Sequence, residues 1–218
     1  MAQADFGRVL LLSDQPPSDA APGIEWVAIN RLRSRAEYSR FMLRDLAGHV
    51  STGHALCVQW DGYVVNGAAW RSEFLDYDYI GAVWPHFSDE HRVGNGGFSL
   101  RSRRLLEACR DLPFDGVEAE DMAIARSNRV RLERDGMRFA PEPVADKFAY
   151  ERRAPTGREF GFHGAFNLVR YLSPANALSV FRSLDRTMLT KSERLEVLRW
   201  ALARGRLRLA MAMLVKRI

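Results

Sequence analysis

An aspartate follows an apolar segment at a point where a strand would present its carboxylate to a ligand. The segment HALCVQW (54–60) is typical of a hydrophobic strand, and Asp61 and Gly62 follow it directly. A carboxylate at a strand end projects beyond the sheet edge, and an adjacent glycine lets another group approach the backbone. Metal and phosphate sites often begin in this way, but Asp-Gly is also among the commonest turn dipeptides. The dipeptide alone therefore leaves a ligand site and an ordinary turn open.

Further carboxylates and a histidine lie downstream. Glu118, Glu120 and Asp121 precede a helix-forming segment and form a second candidate carboxylate site, although the helix dipole favours acids in a first turn without any function. His163 stands in the aromatic, glycine-rich segment EFGFHGAFNL (159–168). Such a histidine is either a ligand or a packed, hydrogen-bonded side chain, and both roles stay open at this point.

A glycine-rich segment lies between these groups. Gly94, Gly96 and Gly97 occur in VGNGGFSLRSRRLLEAC (93–109), where the short strand FSL and a helix with outward arginines follow them. The segment is not a Walker phosphate loop, since no Lys-Ser/Thr follows at the required spacing. It is not a dinucleotide-binding fingerprint either, since no GxGxxG opens a helix directly after a strand. The glycines instead predict a close approach of the backbone to a ligand or to another strand.

The elements that position these residues have the order of an α/β protein. The apolar segment RVLLLSD (8–14) predicts a buried strand, IEWVAI (24–29) predicts a second, and an amphipathic helix capped by Ser34 precedes the strand before Asp61. This order predicts an α/β fold with a mostly parallel sheet flanked by helices, in which ligands bind beyond the carboxyl ends of the strands. Asp14 and Asp61 would share that edge of the sheet.

The last part of the chain predicts a C-terminal helical extension. From Pro174 onward the pattern is helical, which divides the chain into a domain over residues 1–170 and an extension over residues 171–218. The residues expected to pack on the domain are Leu178, Phe181, Leu184, Leu195, Leu198 and Trp200. The opposite, basic face carries Arg199, Arg204, Arg206, Arg208, Lys216 and Arg217. That face is either a solvated surface or a docking surface for an anionic membrane.

Composition restricts the compartment and the partners. The chain has 218 residues, and 32 Lys and Arg against 27 Asp and Glu give a formal net charge of +5, which suits phosphorylated ligands, anionic membranes or nucleic acid alike. Cys57 and Cys109 have neither metal-ligand spacing nor the number of a disulfide framework. No signal peptide precedes the first strand, and no run of about 18 apolar residues occurs. We expect a cytoplasmic protein and, without a base-stacking module, no nucleic-acid partner.

Three blocks of the sequence together resemble a known family. The blocks are VQWDG (58–62), the glycine-rich segment with the downstream EAEDMAI (118–124), and FGFHGAFNL (160–168). In this order they resemble a bacterial family of uncharacterised proteins regarded as GT-A-type glycosyltransferases. The middle block is also similar to the glycine-rich strand and acidic pair of the fringe-like and galactosyltransferase enzymes. The resemblance extends from about Phe6 to about Leu168.

The resemblance implies an enzyme on a GT-A-like, Rossmann-like fold. It would be an inverting, hexosyltransferase-like glycosyltransferase that moves a sugar from a nucleotide-sugar donor to a glycan or lipid-linked acceptor in polysaccharide biosynthesis. Asp121 matches the acid that takes the proton from the acceptor hydroxyl, and Glu120 stands beside it as the other member of the catalytic pair.

The resemblance also implies a donor site and a cofactor. Asp61 matches the last Asp of a DxD motif and His163 matches a late histidine, and together they would hold a divalent cation, Mn²⁺ or Mg²⁺, against the diphosphate. Asp61, Asn95, Gly96 and Gly97 would line the donor and sugar site, where a larger side chain would clash with the bound hexose. Asp61 is then expected at the end of a central strand, beside an open cleft.

The chain departs from this family in two places. Gln59 stands where the DxD motif has its first Asp, which leaves a thin metal shell. The family has another strand and helix before the equivalent of residues 6–14, so either the start codon is placed late or part of the donor site is missing. In that case an uncovered sheet edge is expected near residues 9–12. The alternative to an enzyme is a non-catalytic or truncated GT-A-like domain that binds a glycan or a protein partner.

Overall fold

A computed structural model describes residues 4–185 and 188–215, which form a mixed α/β structure with small sheets and several helices. Within these residues, no helix combines the length and the apolar character needed to cross a membrane. The strands are β1 (Val9–Ser13), β2 (Ile24–Ala28), β3 (His54–Val58), β4 (Tyr63–Val64), β5 (Tyr79–Ile80), β6 (Phe98–Ser102), β7 (Ala149–Tyr150) and β8 (Gly161–Phe162). The α-helices are α1 (Arg35–Arg44), α2 (Arg103–Cys109), α3 (Glu120–Met122), α4 (Arg129–Arg134), α5 (Glu142–Phe148), α6 (Ala165–Leu168), α7 (Pro174–Ser183), α8 (Lys191–Ala203) and α9 (Leu207–Val215).

The described strands pair in three small sheets. β1 pairs with β2 in parallel, β6 lies between β3 and β5 and is antiparallel to both, and β8 lies between β4 and β7. The sequence predicted a mostly parallel sheet, whereas the strand before Asp61 is antiparallel to its neighbour β6. An apolar run locates a strand but carries no information about the direction of its partner, which the intervening chain decides.

Aromatic side chains lock β6 against β8. Phe98, Phe148 and Phe160 pack as one buried group, with ring centroids 5.4 to 6.0 Å apart. Gly161 makes room for this group, because a Cβ there would come within 2.1 Å of the ring of Phe98. The packing brings the glycine-rich segment that precedes β6 next to His163, which follows β8.

The C-terminal helices share a hydrophobic cluster with β8. Phe181 and Leu184 are buried in it, as the sequence predicts. Leu195 is instead 40 % exposed, because α8 turns Val197 and Ala201 toward the cluster and Leu195 lies on the other side of the helix. The other positions predicted to face inward, Leu178, Leu198 and Trp200, are half-buried.

One face of the β1–β2 pair is uncovered. Val9 and Leu11 are 41 % and 38 % exposed, and their partners on β2, Ile24 and Trp26, are exposed to a similar degree. Paired residues on neighbouring strands share a face, so these side chains form one apolar surface. The prediction of a buried strand is wrong here, because only the opposite face, with Leu12, packs beneath α1. Within the described residues β1 pairs with β2 alone, which agrees with the uncovered edge predicted near residues 9–12.

Candidate functional site

A tight turn after β3 holds Asp61. The N–H of Gly62 donates to the carbonyl of Gln59 at 2.9 Å, and the N–H of Gln59 donates to the carbonyl of Gly97 at 2.8 Å. Asp61 therefore lies in a turn, and a backbone hydrogen bond joins this turn to the glycine-rich segment. β3 is an edge strand of its sheet, not the central strand expected before Asp61, because β6 takes the central place.

His163 lies between two carboxylates. Its Nε2 is 3.2 Å from Oδ1 of Asp61, and its Nδ1 is 3.5 Å from Oε1 of Glu151. The three side chains are only 10 to 15 % exposed. The backbone N–H of His163 donates to the carbonyl of Tyr150 at 3.0 Å, which fixes the position of the ring beside β7. The predicted proximity of Asp61 and His163 is present, and Glu151 joins them.

The two carboxylates determine the charge of His163. Burial by itself lowers the pKa of this histidine, but the contacts with Asp61 and Glu151 outweigh burial and raise the pKa to about 9. Burial likewise raises the pKa of Glu151, yet the contact with His163 holds it below its ordinary value. His163 is therefore an imidazolium at neutral pH, with a carboxylate at each ring nitrogen.

Few metal-binding side chains surround the predicted pair Asp61 and His163. Glu151 faces the other nitrogen of His163, so the imidazole ring separates it from Asp61. A histidine ligand must offer a deprotonated nitrogen, so a metal ion here would compete with the proton that the two carboxylates stabilise. Within the described residues, no group of three or more His, Cys, Asp and Glu side chains is arranged to hold a metal ion. Asp61 and His163, predicted as metal ligands, form an ion pair with each other in this structure, and their role as ligands stays a prediction.

Side chains of the protein itself fill the space beside two glycines. A Cβ at position 97 would lie 2.0 Å from Nε2 of His163, and a Cβ at position 96 would lie 2.0 Å from Oε1 of Glu120. A methyl group cannot approach another atom so closely, so packing inside the protein already requires glycine at both positions. A bound hexose is not needed to explain Gly96 and Gly97.

Asn95 turns the chain into this segment and contacts the histidine. Its φ of 68° lies in the left-handed region, which asparagine adopts more readily than most residues. Its Oδ1 accepts a hydrogen bond from the N–H of Phe98 at 3.3 Å, and its Nδ2 lies 3.0 Å from Nδ1 of His163. Asn95 is buried, and its hydrogen bond from Phe98 holds the loop in place beside His163.

The acidic pair at the start of α3 consists of one buried and one accessible carboxylate. Glu120 is buried and accepts a hydrogen bond from Arg101 at 2.9 Å, but burial outweighs this contact and raises the pKa of Glu120. Asp121 is partly exposed, and its two oxygens accept hydrogen bonds from the N–H groups of Gly96 at 2.9 Å and Met122 at 2.8 Å. Each oxygen keeps a second lone pair. Asp121 is thus the member of the pair that can meet a ligand.

Several residues around the site make contacts that the sequence did not predict. Gln59 donates to the hydroxyl of Tyr38 at 2.8 Å, and its Oε1 lies 3.3 Å from Nε2 of His163, so it links α1 to the histidine. Arg101 is completely buried beneath the loop. Glu151 had no local signal, since it follows a two-residue strand and belongs to no motif. Only its contact with a histidine from another segment identifies it.

A cleft of about 740 Å³ opens where β2 ends and α1 begins. Its walls include Arg31, Arg33 and Arg40. The parallel strands β1 and β2 both end near it, and the carboxyl ends of parallel strands are common ligand sites. α1 borders both regions, because it contributes Arg40 to the cleft and Tyr38 to the hydrogen bond with Gln59. The volume is within the usual range for a small-molecule site.

Two other predicted carboxylates lie apart from the histidine. Asp14 follows β1, in a different sheet from β3, and its Oδ2 lies 3.8 Å from Nε of Arg31. Glu118 accepts a hydrogen bond from the hydroxyl of Ser127 at 2.7 Å, which explains its position at the helix start without a ligand.

A comparison with protein families gives a match that spans the site. The family described as protein of unknown function (DUF5672) matches residues 23–163, more than half of the chain. The matched range runs from β2 to His163 and includes the turn at Asp61, the glycine-rich segment and Asp121. No curated protein and no solved structure matches the chain.

Proposed function

The chain belongs to the DUF5672 family, and we propose that it is an inverting glycosyltransferase that moves a sugar from a nucleotide-sugar donor to a glycan or lipid-linked acceptor. In this proposal the fold is a GT-A-like variant, with the β1–β2 pair and its cleft on the donor side. The enzyme class is inferred from the resemblance of the three sequence blocks. The geometry of the site supports this inference.

One observation carries the proposal: the loop of residues 95–97 contacts candidate residues that stand far apart in the sequence. Gly97 lies against the ring of His163, which pairs with Asp61, and the N–H of Gly96 binds Asp121. These blocks are distant along the chain; Gln59 and His163, which touch, are 104 positions apart. A turn, a helix start and an aromatic segment need not converge in a generic α/β protein.

Asp121 is the general base of the proposed reaction. The acceptor hydroxyl oxygen forms a bond to the anomeric carbon while the bond from that carbon to the diphosphate oxygen breaks, and the hydroxyl proton passes to Asp121. Two backbone N–H groups orient this carboxylate, and its remaining lone pairs are free for the proton. Glu120, predicted as its catalytic partner, is buried against Arg101 and positions the loop.

The diphosphate of the donor requires positive charge. The group formed by Asp61, His163 and Glu151 contains two carboxylates and one imidazolium, so it does not supply this charge. We assign the diphosphate to arginines of the cleft, because a guanidinium binds phosphate oxygens in bidentate geometry. Asp61 is then left to accept hydrogen bonds from sugar hydroxyls. No step is assigned to a metal ion.

Calorimetric titration with a panel of nucleotide sugars, each with and without Mn²⁺, tests the donor site. We expect at least one donor to bind, with similar affinity in the presence and absence of Mn²⁺. Arg33→Gln should weaken this binding, whereas Arg131→Gln, on the exposed side of α4, should leave it unchanged. Absence of binding to every nucleotide sugar, with or without metal, would refute the proposal.

A non-catalytic domain is the second candidate. This candidate is favoured by the packing around Gly96 and Gly97. Side chains of the protein itself occupy the space beside these glycines, where the sugar was expected. The two candidates differ in turnover. Release of nucleoside diphosphate in the presence of donor and acceptor, lost in Asp121→Asn, supports the enzyme, whereas glycan binding without any release supports the second candidate.

A further inference from the structure

The last helix of the described structure exposes an apolar stripe. On one side, α9 buries Leu209 and Met213 in the cluster that it shares with β8. On the other side, Leu207 and Met211 are each 63 % exposed and Leu214 is 50 % exposed. Spacings of four and three residues place these three side chains along one face of the helix. We call Leu207, Met211 and Leu214 the α9 stripe.

The helix that precedes α9 also exposes an apolar side chain near its end. Leu202, in the last turn of α8, is 53 % exposed, and a short bend at residues 204–206 joins the two helices. The sequence of α9, LRLAMAMLV, contains a single charged residue, Arg208. Several exposed apolar side chains along one helix face usually mark an interaction site.

The charge around the stripe is positive. Arg199, Arg204 and Arg208 are exposed. All charged residues of the segment 197–218 are basic, namely Arg199, Arg204, Arg206, Arg208, Lys216 and Arg217. The acids that come just before this segment are already paired, Glu193 with Arg152 at 2.7 Å and Glu196 with Arg170 at 3.0 Å. The exposed apolar side chains of α9 therefore lie on a segment whose charged residues are all basic and include exposed arginines.

We propose that α9 and the end of α8 dock on an anionic lipid surface. The α9 stripe would enter the boundary between headgroups and acyl chains, and the arginines would lie at the lipid phosphates. A second copy of this chain is a poorer occupant, because it would bring two basic faces together. The inference does not depend on the proposed sugar transfer, since lipid binding can be measured without donor or acceptor.

Sedimentation of the full chain with vesicles tests the proposal. One vesicle population contains phosphatidylcholine alone, and the other contains phosphatidylcholine and phosphatidylglycerol in equal parts. We expect binding to the anionic vesicles, little binding to the neutral ones, and weaker binding as salt screens the arginines. The double variant Leu207→Ser/Met211→Ser should lose the binding. Arg199→Gln/Arg208→Gln should reduce it about 30-fold, at about fivefold for each basic residue near an anionic surface.

Matched variants on α4 serve as controls. Val130→Ser removes an apolar side chain that is 60 % exposed, and Arg131→Gln/Arg134→Gln removes two exposed charges. These variants should bind the vesicles like the parent, and thermal unfolding followed by circular dichroism should show that every variant is folded.

Three results would overturn the proposal. The first is equal sedimentation with both kinds of vesicle, or with neither. The second is a stripe variant that binds as well as the parent. The third is a parent protein that does not bind vesicles but forms a dimer in light scattering, with the dimer lost in the stripe variant. A second copy of the chain would then be the partner of the α9 stripe.

Discussion

Replacing Gly97 with alanine should displace His163. The added Cβ would lie 2.0 Å from Nε2, 2.3 Å from Cδ2 and 2.5 Å from Cε1 of the ring. Non-bonded carbon atoms need about 3.5 Å, so the ring or the loop must move by about 1 Å or more. The ring has little freedom to move, because Asp61 and Glu151 hold its two nitrogens and only 15 % of the side chain is exposed.

The size of the effect follows from these contacts. Overpacking costs about 1–3 kcal/mol, and a displaced ring leaves the nearly buried carboxylate of Asp61 without its partner for about 1–3 kcal/mol more. We therefore expect Gly97→Ala to lower the free energy of unfolding by about 2–6 kcal/mol. Gly48→Ala is the matched control. Gly48 lies in a short 3₁₀ helix, Leu46–His49, where an added Cβ would meet nothing within 4 Å. It should change the stability by at most about 1 kcal/mol, in the stabilising direction.

Equilibrium unfolding in urea measures both variants against the parent, and the imidazole NMR signals of His163 report on its position. The reasoning is refuted if Gly97→Ala unfolds at the urea concentration of the parent with the His163 signals unmoved. In that case the ring does not lie against residue 97. Equal destabilisation in Gly48→Ala would show instead that the loss comes from replacing any glycine.

Three further predictions concern single side chains. Asp121→Asn should slow sugar transfer about 10²–10⁴-fold because it removes the proton acceptor. Donor affinity in calorimetry should stay the same, because the proposed diphosphate site is formed by the arginines of the cleft. Transfer at the parent rate would leave Asp121 as a helix-start acid. The pKa of His163 is raised to about 9, against about 6.5 in the unfolded chain. This difference contributes about 3 kcal/mol to the free energy of unfolding; the contribution is fully present below about pH 6.5 and is lost as the pH rises through 9. Urea unfolding over this pH range should show that loss in the parent, whereas the free energy of unfolding of His163→Gln should depend less on pH. The same pH dependence in both proteins would show that His163 is not its source. Asp78→Asn should destabilise the fold by about 2–4 kcal/mol, because the buried carboxylate accepts hydrogen bonds from Arg104 and from the N–H of Arg138. In the same assay Asp76→Asn, at an exposed position, should change the free energy of unfolding by at most about 0.5 kcal/mol.

The local elements of the fold could be predicted because their causes are local. The helix expected from Ser34 begins there, and its side chain accepts a hydrogen bond from the N–H of Glu37 at 3.1 Å. The apolar runs located β1, β2 and β3 for the same reason, since each pattern lies within a few residues. The direction of β6 could not be predicted, because it depends on how the chain between β3 and β6 returns to the sheet.

The sequence by itself determined which chemical groups are present and where each stands in its own element. It located Asp61 after a strand, Asp121 at a helix start and glycines before another strand. The tertiary structure alone decided that Glu151 joins His163, that the protein's own side chains fill the space beside Gly96 and Gly97, and that the α9 stripe is left exposed. These properties depend on distances between segments as far apart in the chain as residues 97 and 163. Such distances, and not the neighbours in the sequence, set the charge of a histidine or the space beside a glycine.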